Sequence, residues 1–195
     1  MDQEEKSKID WVHLPLGVDD VSLWHCLHDG ELISCKSNHP ERIVTLEFSV
    51  KHLLYRDENE TTFLLEIGDV TSVRAIGHFG RIEEFREPEG ISNEERTQLI
   101  KEYWAKWREE SLTWLEFESA LATDPLQIME AGFASNADET TLRLGGFLNG
   151  EKFDDIYFDV FVRGKGMAVS RSDGNDFSFD AFIELGKNYW NDVRS

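Results

Sequence analysis

The stretch LHDGELISCKSNHPERIVTLEFSV, residues 27–50, decides the fold class of this chain. Its last segment sets Val44, Leu46, Phe48 and Val50 against Thr45, Glu47 and Ser49. One face is therefore apolar and the other meets water, as in a half-buried antiparallel strand. Asp29-Gly30 and Asn38-His39-Pro40-Glu41 carry turn chemistry, because Gly accepts positive φ at little cost and Pro fixes φ. The stretch reads as a hairpin on a core. Ahead of it, a short helix through Leu23 and Trp24 that ends near Leu27 is preferred over a strand at 24–27 folded back on 32–35, since 15–20 leaves little room for another strand.

Working outward, strand 42–50 is followed by 61–67, with Phe63, Leu65 and Ile67 on one face, and by a weaker strand at 70–76 after a break at Gly68-Asp69. Together these make a meander that needs a cover for its apolar face. On the other side, residues 1–8 are polar, Pro15 and Gly17 interrupt regular structure, and Asp19 and Asp20 are placed to cap the short helix. Residues 81–95 are highly charged and read as an exposed connection. Ser92 with Glu95 three residues on is a capping box, and Leu99, Ile100, Tyr103, Trp104 and Trp107 follow on one helical face. This helix, 93–110, is expected to cover the first sheet. Residues 111–122 suit a helix and a strand equally.

The C-terminal part repeats the style, with strands at 126–134, 141–148, 156–163 and 167–171 separated by turns that include 164–166. Ser178 is a plausible N-cap for a closing helix whose apolar face carries Phe179, Phe182, Ile183, Tyr189, Trp190 and Val193. The expected fold is α+β: antiparallel β-meanders of about eight strands in one or two sheets, with an amphipathic helix between the strand groups and a C-terminal helix. A length of 195 residues suits a single domain. Two sub-domains, 9–80 and 111–195 joined by the helix 93–110, are the alternative.

Charge narrows function. With 39 acidic and 20 basic residues the formal net charge is -19, which repels nucleic acid and anionic membranes and speeds encounter with basic partners. No run approaches the ~20 apolar residues of a membrane span. The start MDQEEKSKID has no apolar stretch of the signal-peptide kind, and two cysteines do not make a disulfide framework. A cytoplasmic protein with reduced thiols is expected.

Catalytic chemistry is sparse. Cys26, His28, Cys35 and His39 offer zinc-ligand side chains, but Cys26 and His28 leave one residue between them where paired ligands usually leave two to four. A site near His25, His28, Asp29 and Glu31 is the enzyme or ligand-binding alternative. The His28-Asp29 pair lacks the distant His and Asp that an HD phosphohydrolase needs. Gly-rich phosphate loops and a GxSxG elbow are missing from the sequence. No catalytic residue and no cofactor is assigned. Trp104, Trp107 and Trp190 read as core residues, and Trp11, Trp24 and Trp114 are unplaced.

Leu27-His28-Asp29-Gly30, leading to a turn and then TLEFSV at 45–50, resembles small bacterial families in which a Leu-His-Asp turn opens a β-meander. Some of these are immunity proteins of polymorphic toxin systems. The resemblance spans 24–50 and implies a non-enzymatic protein that binds and neutralises a toxin. With a charge of -19, the expected partner is a protein such as a basic toxin or nuclease. The acidic tip with Asp57, Glu58 and Glu60 and the belt with Glu83, Glu84, Glu87 and Glu89 are the partner-binding candidates. A structural subunit that dimerises through an apolar sheet face is a further alternative.

Overall fold

The computed structural model describes residues 17–19, 22–51, 53, 62–79, 88, 90–148, 156–172 and 177–193. In chain order the elements are β1 (Gly17–Asp19), α1 (Ser22–Leu27), β2 (Glu31–Asn38), β3 (Ile43–Ser49), β4 (Thr62–Phe79), α2 (Asn93–Trp104), β5 (Arg108–Leu112), α3 (Trp114–Leu121), β6 (Leu126–Ser135), β7 (Thr140–Leu148), β8 (Ile156–Arg171) and α4 (Phe179–Val193). The expected α+β class holds, with all eight strands in one antiparallel sheet.

That sheet closes on itself. The pairing order β6-β2-β3-β4-β8-β7 returns to β6, so strands from both halves of the chain form a six-membered ring, with β1 appended to β6 and β5 to β4. The seam between β2 and β6 is short, pairing Glu31 with Gln127 and Leu32 with Leu126. It is lengthened by the turn that precedes β2. Asp29 N–H donates to the Ile128 carbonyl at 3.0 Å, and Ile128 N–H donates to the Gly30 carbonyl at 2.8 Å. Asp29, at φ 63, takes the left-handed conformation expected of the glycine. Gly30 is needed for space instead: a Cβ there would lie 2.9 Å from the Leu27 carbonyl oxygen and 3.2 Å from that of Ser49.

Inside the ring, alternation supplies the core. Val44, Leu46 and Phe48 of β3, Phe63, Leu65 and Ile67 of β4, Leu142 and Leu144 of β7, and Phe158, Val160 and Val162 of β8 are buried. Side chains of this size fill a small barrel. Helices plug it at separated points along the long β4–β8 pair. Phe182 of α4 meets Phe63 at 5.1 Å, near where β4 begins, and Phe117 of α3 meets Phe158 at 5.8 Å, beside Gly77 near where β4 ends.

Several expected boundaries shift for one physical reason, that a neighbouring strand carries the chain through a local irregularity. Residues 61–67 and 70–76 form the single strand β4; Gly68-Asp69 produces a bulge between Ile67 and Ser72 while β8 continues alongside. Likewise 156–163 and 167–171 are the single strand β8, and Gly166, at φ 72, bends the strand where a turn was expected. Gly17 lies in a short strand, β1, paired with the end of β6.

The helix expected at 93–110 ends at Trp104, and β5 begins at Arg108. Its Ser92–Glu95 capping box is formed, but residues 92–98 are exposed, so α2 is not the cover of the sheet. That role falls to α3 and α4. The ambiguous 111–122 is both things in turn: the end of β5, then α3 opened by a second capping box between Thr113 and Glu116.

Candidate partner-binding face

With the apolar positions turned into the ring, the alternate positions of β5, β4, β8, β7 and β6 form its outer surface. Register brings a set of polar residues together there. His78 lies opposite Tyr157 and Glu109, Asp159 lies opposite Gly145, and Gly145 lies opposite Glu130. Directly paired residues share a face. Gly145 thus leaves a gap between two carboxylates, and its neighbours fill it. Arg143, two residues earlier on β7, reaches Asp159 through Nε and Nη2, both at 3.1 Å, and Glu130 through Nη2 at 2.8 Å. The phenol of Tyr157 crosses over Gly145, where an added Cβ would lie 2.0 Å from its oxygen, and hydrogen-bonds Glu130.

His78 completes the row. Its Nε2 lies 2.9 Å from Asp159 Oδ2 and its Nδ1 3.8 Å from Glu109 Oε1. The His78 and Asp159 side chains are 16% and 15% exposed, whereas Glu109 and Glu130 stand out at 70% and 54%. The centre of the row is shielded and its ends are wet. Burial acts to lower the Arg143 pKa, but the Asp159 and Glu130 carboxylates outweigh it and hold the guanidinium charged. Burial, and then the same two carboxylates, raise the Tyr157 pKa, so the phenol stays neutral. His78, Glu130, Arg143, Tyr157 and Asp159 line a depression of about 240 Å³.

An aromatic patch adjoins the row. Trp24 of α1 stacks on Trp190 of α4 at 5.2 Å and 28°, and His28 sits 4.2 Å from the Trp24 ring. The two indoles are pinned from below: Trp24 Nε1 donates to the Met129 carbonyl at 3.1 Å and Trp190 Nε1 to the His25 carbonyl at 2.9 Å. Trp24 shares a smaller depression with Glu130 and Arg143, so patch and row are continuous. Trp190, expected in the core, is half-buried on the outside.

The residues singled out in the sequence are scattered. Cys26 is buried under α4, with its thiol donating to the Phe182 carbonyl at 3.2 Å. Cys35 is buried in β2, and burial, then the Glu118 charge, push its thiol up to about 12. His39 is exposed in the β2–β3 turn, and His28 belongs to the tryptophan patch. The four zinc-type side chains are not brought together, and among the described residues no three His, Cys, Asp or Glu gather for a metal ion. Of the alternative set, His28 Nδ1 contacts Asp29 Oδ2 at 3.1 Å, His25 packs edge-on to Trp24, and Glu31 faces Lys51 at 3.7 Å. Asp57, Glu58, Glu60, Glu83, Glu84, Glu87 and Glu89 fall outside the described residues.

The row of His78, Asp159, Arg143, Glu130 and Tyr157 was not anticipated. One signal was present: Arg143 and Asp159 are charged residues set between apolar neighbours, Leu142 and Leu144, Phe158 and Val160. Comparison with protein-family models, curated proteins and solved structures found no match.

Proposed function

We propose that this protein is a non-enzymatic binding domain of the inhibitor or immunity class, and that it engages a basic protein, a toxin such as a nuclease, on the outer face just described. The observation that carries this reading is the pre-organised row of acid-rich ion pairs beside a tryptophan patch. Side chains already fixed by mutual contacts lose little freedom on binding, and aromatic residues beside a polar rim are the usual anchors of protein interfaces. The charge of -19 adds long-range attraction for a basic surface. His78 fits a structural place in this row because both of its ring nitrogens face carboxylates.

The gene neighbourhood and then co-expression test the proposal: a toxin gene is expected next to this one, and its product is the co-expression partner. The intact protein is expected to restore growth and to co-elute with the toxin, and the pair Trp24→Ala with Glu130→Lys to weaken both. Absence of protection together with absence of co-elution discards it.

A further inference from the structure

β4 changes partners along its length. Residues 62–67 pair with β3, whereas 75–79 pair with β5 on the same side of the strand, opposite β8. β5 therefore continues the wall where β3 has left it, and among the described residues β5 pairs with β4 alone. The helix α3 leads directly from it and packs towards β2 and β4. The end of β4, β5 and α3 line a groove of about 580 Å³, with Phe79, Leu112 and Ala120 among its apolar residues and the exposed Glu110 and Glu116 among its polar ones. Leu115 stands at the groove and is 71% exposed, the largest exposure of a bulky apolar side chain among the described residues.

A strand edge that pairs on one side only presents backbone donors and acceptors to a further strand. In strand addition the main chain supplies affinity, and pockets for alternate side chains supply specificity. Here the alternate positions of an incoming strand would meet apolar side chains and carboxylates. We infer that the outer edge of β5 and the β5–α3 groove receive an extended basic segment of the protein partner, which adds to β5 as a new strand. This inference rests on the binding-domain reading above and gives the partner a second point of attachment. Charge complementarity fixes the occupant: the groove carries Glu116 and Glu110, the latter shared with Arg108 at 2.9 Å, within a chain of net charge -19, so alternating basic and apolar residues fit it better than an acidic segment does. The five residues of β5 set the span of the paired segment at about 17 Å.

The test uses the full chain with a synthetic peptide of alternating lysine and valine, and the same peptide with glutamate in place of lysine. Fluorescence anisotropy measures binding, and amide hydrogen exchange locates it. The lysine peptide is expected to bind and to slow exchange within 108–112, and the glutamate peptide to bind at least tenfold more weakly. Leu115→Lys and Glu110→Lys, both at exposed positions, are each expected to weaken lysine-peptide binding about tenfold while the thermal melting curve stays unchanged. Equal binding of the two peptides, unchanged affinity in both variants, or slowed exchange only outside 108–112 overturns the inference. Slowed exchange in β5 that grows with protein concentration and no peptide assigns the edge to a second copy, and also overturns it. If the toxin is bound equally by these variants, the groove inference alone fails. If no toxin is bound but the lysine peptide is, the inhibitor reading alone fails.

Discussion

His78 and Asp159 are separated by 81 positions in the chain, yet their side chains meet at 2.9 Å on the outside of the ring. Asp159 also accepts from Arg143, so one shielded carboxylate serves two cationic or proton-bearing partners. Hydrogen bonds to charged groups are worth more than neutral ones, and removing one partner leaves the other incompletely solvated.

Replacing Asp159 by Asn keeps the shape and removes the charge. The expected loss is about 1–2 kcal/mol of stability, since Arg143 is half exposed and keeps Glu130 as a partner. A double-mutant cycle with Arg143→Met in urea measures the coupling. Fully additive losses would show that the row contributes nothing as a unit.

Gly145 has no room for a side chain. An added methyl group would overlap the Tyr157 phenol, and Gly145→Ala is expected to destabilise the fold by about 1–3 kcal/mol as Tyr157 is displaced. Truncating Tyr157 to Ala in the same chain is expected to recover part of the loss. Denaturant midpoints of the single and double variants decide the matter, and an unaffected Gly145→Ala midpoint contradicts this packing.

The Cys35 thiol gives a pH signature. Its pKa is raised from its ordinary value of 9.0 to about 12. Between these pH values the unfolded chain has released the proton and the folded chain still holds it, so the unfolded state gains. The stabilising share of Cys35 is therefore complete below pH 9 and is lost as pH rises towards 12. Comparing the intact protein with Cys35→Ala at pH 8 and pH 10.5 isolates this effect from other alkaline titrations. The stability gap should shrink at the higher pH. At pH 8, iodoacetamide should leave the Cys35 thiol of the folded protein unmodified.

Phe182 holds the C-terminal helix in the barrel. It is 1% exposed and touches Phe63 in β4. Phe182→Ala is expected to cost about 3–5 kcal/mol. Calorimetry is the measurement, and a loss below about 1 kcal/mol would mean that α4 is not a plug.

Local signals were written plainly in the sequence. The alternation of 44–50 placed Val44, Leu46, Phe48 and Val50 inside, and all four are buried. Ser92 with Glu95 marked a helix start, because a capping box involves residues three apart and depends on nothing distant. The Thr113–Glu116 box obeys the same rule, and applying it at 111–122 would have separated β5 from α3. The cover of the sheet was misjudged because an apolar stripe shows that a helix has something to bury, without showing where.

The sequence by itself determined which positions face inward, where helices begin, and the sign of the molecule's electric field. Tertiary structure alone decided that the sheet closes, that Gly68 and Gly166 bend strands without ending them, and that His78, Asp159, Arg143, Glu130 and Tyr157 stand in one row. The reason lies in the backbone. A period of two states the face of a residue, but pairing is made by N–H and C=O groups that every residue but proline carries alike, so the neighbour of a strand is not encoded at any one position. The seam at Asp29, Gly30 and Ile128 closes the ring through such groups, and it appears only when the whole sheet has formed.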